Sequence, residues 1–201
     1  GGVIKRIEEI IVGVLQKPVI GQRYVMGVDL GKKEDWTVLS VLNCTTRHLD
    51  AWERFQQFDW SFQKEKIARL AKEYNNPLII LDSTGLGSPI EDDLKRMGLN
   101  VRGFQFTSVS KKQLIEKLIL AIEDRRITIP QIDELVNELQ DYDIDEKGRY
   151  GAPRGLHDDA VTSLALAIQG LGAEIYRSEV REDDYQPFSE RFKTEGRTVY
   201  A

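Results

Sequence analysis

Cysteine is nearly missing from this sequence: Cys44 is the only one in 201 residues. A disulfide or zinc framework within the chain is thereby excluded, and a reducing, cytoplasmic setting fits. Histidine is almost as scarce, with His48 and His157 alone. His48 reads as a surface residue of a strand, and His157 as a packed or capping residue or one that orients a ligand or water. No apolar run approaches the roughly 20 residues of a membrane-spanning helix. Lys5, Arg6, Glu8 and Glu9 break up the N-terminal apolar residues, so there is no signal-peptide core and no membrane is expected as a partner. A phosphate-binding GxxxxGK[ST] loop is lacking, because Gly85-Leu-Gly87 is not followed by lysine; ATP hydrolysis by this chain is not supported. No serine lies in a nucleophile-elbow context. An excess of positive charge is lacking too. Lysines and arginines number 28 against 33 acids, a net charge of −5, whereas a free DNA-binding domain is usually basic. A nucleic-acid role therefore needs a local basic surface, a metal bridge or tethering by other domains.

What is present is a set of carboxylates at the ends of apolar elements. Tyr24-Val-Met-Gly-Val-Asp-Leu-Gly31 reads as a buried strand interrupted near its end by Asp29. Leu78-Ile-Ile-Leu-Asp82 ends the same way. His157-Asp-Asp159 opens a late helix. A buried carboxylate is costly unless it is paired or bound to a metal, so three dispersed acidic sites suggest one centre assembled by the fold. The competing reading of each is a helix cap or a turn aspartate. Carboxylates select hard cations such as Mg2+ or Mn2+. In a two-metal phosphodiesterase, Asp29 would bridge the ions, with Asp82 and Asp158 or Asp159 on either side. Asp35 is a weaker candidate, on the turn leaving the first strand. Asp158 is expected to cap the helix, leaving Asp159 as the more direct ligand. Asp141, Asp143 and Asp145 lack the remainder of a calcium-loop pattern.

Strands are expected at 24–28, 37–42 and 47–55 as an antiparallel meander, and then at 78–81 and 101–106 alternating with helices. The result is a mixed α/β sheet of three antiparallel strands followed by parallel strands, with helices on both faces. Residues 1–22 read as an N-terminal linker with a short amphipathic helix, from the spacing of Ile4, Ile7, Ile10, Ile11 and Val14. Residues 23–172 form the folded domain, and 173–201 a tail with little periodicity. Ser88 with Glu91 reads as a capping box, and Ser110 as the cap of the next helix. Lys111 and Lys112 then fall in a first turn, against the helix dipole; a phosphate bound there would explain them. Lys32, Lys33, Lys147, Arg149 and Arg154 would add phosphate contacts. Residues 142–152 read as a hairpin or a mobile loop.

The stretches Gly27-Val-Asp-Leu-Gly31 with Asp35-Trp-Thr37, Leu81-Asp-Ser-Thr-Gly-Leu-Gly87, Ser110-Lys-Lys112 leading to Ile127-Thr-Ile-Pro130, and Gly155-Leu-His-Asp-Asp-Ala-Val161 together resemble the nuclease domain of tailed-bacteriophage terminase large subunits. These are members of the RNase H-like superfamily, and the resemblance runs from about Tyr24 to Leu171. It implies a metal-dependent endonuclease that cuts concatemeric double-stranded DNA during genome packaging, with Asp29, Asp82 and the Asp158–Asp159 pair as its acidic cluster. An ATPase domain would precede residue 1. A portal protein and a small terminase subunit would be partners, on a procapsid in the host cytoplasm. The family often carries a hairpin near the site where residues 142–152 fall. A Holliday-junction resolvase with similar acids, and a non-enzymatic docking domain that keeps the fold, are the competing readings.

Overall fold

A computed structural model of the chain describes residues 2–31, 35–56, 59–85 and 87–184. Strands β1 (Tyr24–Asp29), β2 (Thr37–Asn43) and β3 (Leu49–Phe55) form the antiparallel meander, followed by helix α1 (Trp60–Glu73). Then come β4 (Leu78–Asp82), α2 (Gly87–Arg96), β5 (Val101–Phe104), α3 (Ser108–Glu123) and α4 (Asp133–Asp141). A small hairpin, β6 (Asp143–Ile144) with β7 (Tyr150–Gly151), precedes the last helix, α5 (Asp159–Asp184). The main sheet has the order β3-β2-β1-β4-β5, with β4 parallel to both β1 and β5. This is the expected mixed sheet.

Successive strand residues face opposite sides of a sheet, and here the alternation separates two cores. Tyr24, Met26, Val28, Leu39, Val41, Ile79 and Leu81 pack with Ile67, Leu70, Ile90 and Leu94 of α1 and α2. Val25, Val38, Leu42, Leu78 and Ile80 pack with residues of α3, α4 and α5. Asp29 and Asp82 continue the second series, so both carboxylates project from the α5 face.

Gly27 lets α5 approach β1. A Cβ there would run into the Ser163 carbonyl and the Ala167 amide. Ser163 Oγ instead donates to the Gly27 carbonyl at 3.0 Å and lies 2.8 Å from Ser40 Oγ. Further along, Gly170 sits against Val25 and Ile80. Since β1 advances from Val25 through Gly27 while α5 recedes from Gly170 to Ser163, the two run antiparallel. The N-terminus of α5 therefore lies at the C-terminal ends of β1 and β4.

Three expectations are corrected. The N-terminal stretch forms only a 3-10 turn, Ile7–Ile10, entered through Arg6 in the left-handed region. Ile4, Ile7 and Ile10 are buried in the α3–α5 core, and Ile11 pairs with Ile129 as extended chain. The isoleucine spacing thus reflects burial and not an α-helix. Second, α5 runs past residue 172 into the expected tail and continues to Asp184. No glycine or proline interrupts residues 174–184, and Glu174 is buried and paired with Arg23 at 3.2 Å. The part of the expected tail from 185 on lies outside the described residues. Third, α3 begins three residues earlier than expected. Thr107 is its cap, and Ser110 is the third helical residue, which returns the capping-box bond. Lys111 and Lys112 therefore stand beyond the first three helical positions.

Candidate metal centre

Val28 and Leu81 are register partners across the parallel β1–β4 pair. Asp29 and Asp82 are the next positions, side by side at the strand ends. Ligand sites of open α/β sheets form outside such carboxyl ends. Asp159 lies one helical turn before Ser163, on the face of α5 that meets β1. Asp29, Asp82, Asp158 and Asp159 are all half-buried. Desolvation drives the Asp29 carboxyl well above the ordinary aspartate range, and the charges of Asp159, Asp82, Asp158 and Glu138 push it the same way. The four predicted acids are thus brought together electrostatically. Among the described residues, no three acidic or imidazole side chains already converge as a closed cage for an ion.

Three of the four acids also have local roles. Asp82 Oδ1 accepts from the Thr84 amide at 2.8 Å, an Asx turn. The Asp158 carbonyl accepts the first intrahelical bond of α5, from Thr162, but its carboxylate turns to Lys111 Nζ at 3.5 Å. Asp159 accepts from the Trp36 amide, yet burial outweighs that bond and leaves its carboxyl raised. Its Oδ2 is buried with no hydrogen-bond partner, and His157 Nδ1 stands 3.5 Å away. Asp35 is exposed, close enough for its charge to act on Asp159. The turn that carries it is pinned by Thr37 Oγ1, which accepts from the Gly31 amide at 2.8 Å and donates to Gln63 Oε1 at 2.6 Å. Clustered oxygen ligands, mutual repulsion and an orphaned buried carboxylate oxygen fit a hard divalent cation.

A family model described as the terminase RNaseH-like domain matches residues 26–171. The chain belongs to the terminase RNase H-like domain family. The large terminase subunit of Thermus phage G20c is 32% identical over 169 residues, which are 80% of this chain and 34% of that protein. The chain thus spans about a third of the length of this curated relative. The crystal structure of the large terminase nuclease from thermophilic phage G20c superposes with a TM-score of 0.76 at 27% identity, covering 84% of this chain and 97% of that one. Its magnesium-bound form gives a TM-score of 0.77 at 27% identity over 84% and 96% of the two chains. The same nuclease has been solved with bound cobalt and with bound zinc.

In this terminase domain the predicted basic residues divide. Lys111 and Lys112 line an open groove of about 1210 Å³ between the start of α3 and the β6–β7 hairpin, together with Lys147 and Arg149. Lys111 also reaches Asp158, while Lys112 stands 3.9 Å from Glu116. Arg149 is exposed but tied to Asp145, which accepts from its Nε at 2.8 Å and closes the hairpin turn. Arg154 is exposed on the loop before α5 and lines no part of the groove. Lys32 and Lys33 lie outside the described residues. Glu91, expected only to complete a capping box, accepts from the Gly103 amide at 3.0 Å and from Lys95 at 2.6 Å; the side chain of Ser88 lies outside the described residues. The expected cap of α5 is also corrected. It is Glu138 of α4, not Asp158, whose Oε2 accepts from the Ala160 and Val161 amides. The only trace of this in the sequence is an acid beside Leu139, on the inward stripe of an amphipathic helix.

Proposed function

We propose that this domain is a divalent-metal-dependent endodeoxyribonuclease that cuts double-stranded, concatemeric viral DNA during genome packaging. The observation that carries the reading is the meeting of Asp29, Asp82 and Asp159 where two strand ends face a helix N-terminus, with Asp159 Oδ2 buried and without a hydrogen bond. The magnesium-bound structure of the related nuclease supports the same choice of ligand class. Asp29, the centre of the set, would be shared between two Mg2+ or Mn2+ ions, with Asp82 serving one and Asp159 the other. Such ions supply Lewis acidity and a hydroxide-like nucleophile for in-line displacement at phosphorus.

The protein's own groups do the remainder. The α5 N-terminus favours ionised carboxylates beside it. The Trp36 amide favours the ionised form of Asp159. Lys111 offsets part of the negative charge of Asp158 and, with Lys112 and Lys147, gives an otherwise acidic protein a local hold on phosphates along the α3–hairpin groove. The ATPase domain of a terminase large subunit would lie N-terminal to this domain, with the portal protein and the small terminase subunit as partners in the host cytoplasm.

The test is cleavage of linear and circular duplex DNA with magnesium or manganese. We expect cutting that excess chelator stops and that Asp29→Asn abolishes while circular dichroism stays unchanged. Cutting by Asp29→Asn, or in chelator, would remove the metal-centre reading. Cleavage confined to four-way junctions would favour the resolvase reading, and a folded protein without metal-dependent cleavage would favour the docking domain.

A further inference from the structure

Helix α5 begins with two aspartates, residues that often accept from the amides of their own first turn. Its first-turn amides are used differently. Ala160 N and Val161 N donate to Glu138 Oε2 at 2.7 and 3.3 Å, from a different helix. Asp158 turns toward Lys111, and Asp159 takes the Trp36 amide while its Oδ2 makes no hydrogen bond.

Glu138 is itself held in place. Its side chain is 9% exposed, and Oε1 stands 3.8 Å from Arg54 Nη2. The Arg54 guanidinium lies over the Trp36 ring, 4.0 Å from its centroid, a stacked arrangement that arginine favours. Trp36 in turn donates to Asp159. The links close a circuit: Arg54 to Glu138, Glu138 to the start of α5, Asp159 to Trp36, and Trp36 back to Arg54. No member except Asp159 belongs to the predicted acidic set.

We propose that Glu138 is a positioning residue for the acidic centre. By capping α5 from outside it relieves Asp158 and Asp159 of capping and leaves the Asp159 carboxylate free to hold a divalent cation. This rests on the metal-centre reading above. Without Glu138, two buried amides lose their acceptor. Such groups are costly to leave unmade, and Asp158 is the adjacent carboxylate able to turn back as a cap.

The test uses the full 201-residue chain, with manganese alone as the probe, titrated calorimetrically, and with melting followed in excess chelator. Glu138→Ala is expected to weaken manganese binding about tenfold or more, the usual cost of losing an outer-shell partner. In chelator it should melt about 2–4 °C lower, the size of a lost helix cap in a domain of this length. Glu138→Gln keeps an oxygen for Ala160 and Val161 and should retain most of the affinity. In chelator, Asp158→Ala should cost more melting temperature in the Glu138→Ala background than alone, because Asp158 has become the cap and alanine has no oxygen to replace it.

Wild-type affinity in Glu138→Ala would overturn the proposal, since a merely structural cap would lower melting alone. Equal losses in Glu138→Gln and Glu138→Ala would overturn it as well, by making Glu138 a ligand or a required charge. If Glu138→Ala does not fold, retention or loss of affinity in Glu138→Gln decides. A wild-type protein that binds no manganese would overturn the metal-centre reading instead. The chelator arm would then decide the capping claim by itself: coupling with Asp158 supports it and additivity overturns it.

Discussion

The two faces of the sheet are built from alternate residues of the same strands, and they differ in kind. The α1–α2 face presents Met26, Val28, Ile79 and Leu81 to aliphatic side chains of two helices. The α5 face presents Gly27, Asp29, Ile80 and Asp82, with Ser40 and Ser163 hydrogen-bonded between the layers. The first face is made by volume. The second is thinned by small residues so that a helix backbone can press onto the strand, and it is left polar where strand ends meet the helix start. Both sides of the five-stranded sheet carry a hydrophobic core, but only the α5 side also carries the proposed metal site. A hydrophobic face tolerates no charge, and a site for a cation cannot be lined by Leu and Ile alone.

Substitutions on the two faces should separate these roles. The largest loss of stability is expected on the apolar face. Ile79→Ala should destabilise by about 2–5 kcal/mol in chelator melts or denaturant titrations, while manganese affinity of the folded protein stays near wild type. Gly27→Ala should cost about 1–3 kcal/mol as overpacking, and it should also weaken manganese binding, because the added methyl pushes α5 and Asp159 away from β1. Equal metal affinity in the two variants would mean that the close approach of α5 serves packing only.

A smaller effect concerns pH. The carboxyls of Asp29, Asp159 and Glu138 are raised in the folded protein, in each case chiefly by burial. The folded state then holds protons that the unfolded chain releases. Their contribution to stability is fully present below the unfolded aspartate value of about 4 and is lost as pH rises through the folded values. Metal-free protein should therefore melt lower at neutral pH than at mildly acidic pH, and Asp29→Asn should flatten that slope and raise the neutral melting temperature. A steeper slope in the variant would contradict the clustering of charge.

The finest distinction lies within the acidic pair. Asp159→Asn should lose nearly all cleavage and most manganese affinity. Asp158→Asn should keep a measurable fraction of both, since its carboxylate faces Lys111. The reverse order of cleavage rates would exchange their roles.

The strands and the positions of Asp29 and Asp82 were legible because period-2 burial and a terminal acid are local signals. The meander and the mixed topology were legible for the same reason, whereas residues 142–152 read as either a hairpin or a mobile loop, a choice that the pairing of β6 with β7 settles. What escaped depends on partners distant in the chain. Ser110 satisfies the grammar of a cap, yet Thr107 and Ser110 together fit it better once Lys111 is directed at Asp158. The isoleucines before residue 12 were spaced for a helix, but Ile129 offered Ile11 an extended partner. Glu138 carried only a faint local sign, an acid on an inward stripe, because the amides that donate to it begin 22 residues later. Asp158 was read as a cap on the same local logic, and a carboxylate from another helix took that place.

The central claim is that Asp29, Asp82 and Asp159 together bind divalent metal. Diffraction from crystals soaked in manganese, recorded at a wavelength where manganese scatters anomalously, tests it most directly. The account predicts anomalous peaks bounded by these three carboxylates, lost in Asp29→Asn crystals grown the same way. Peaks only elsewhere, or unchanged peaks in the variant, would contradict it.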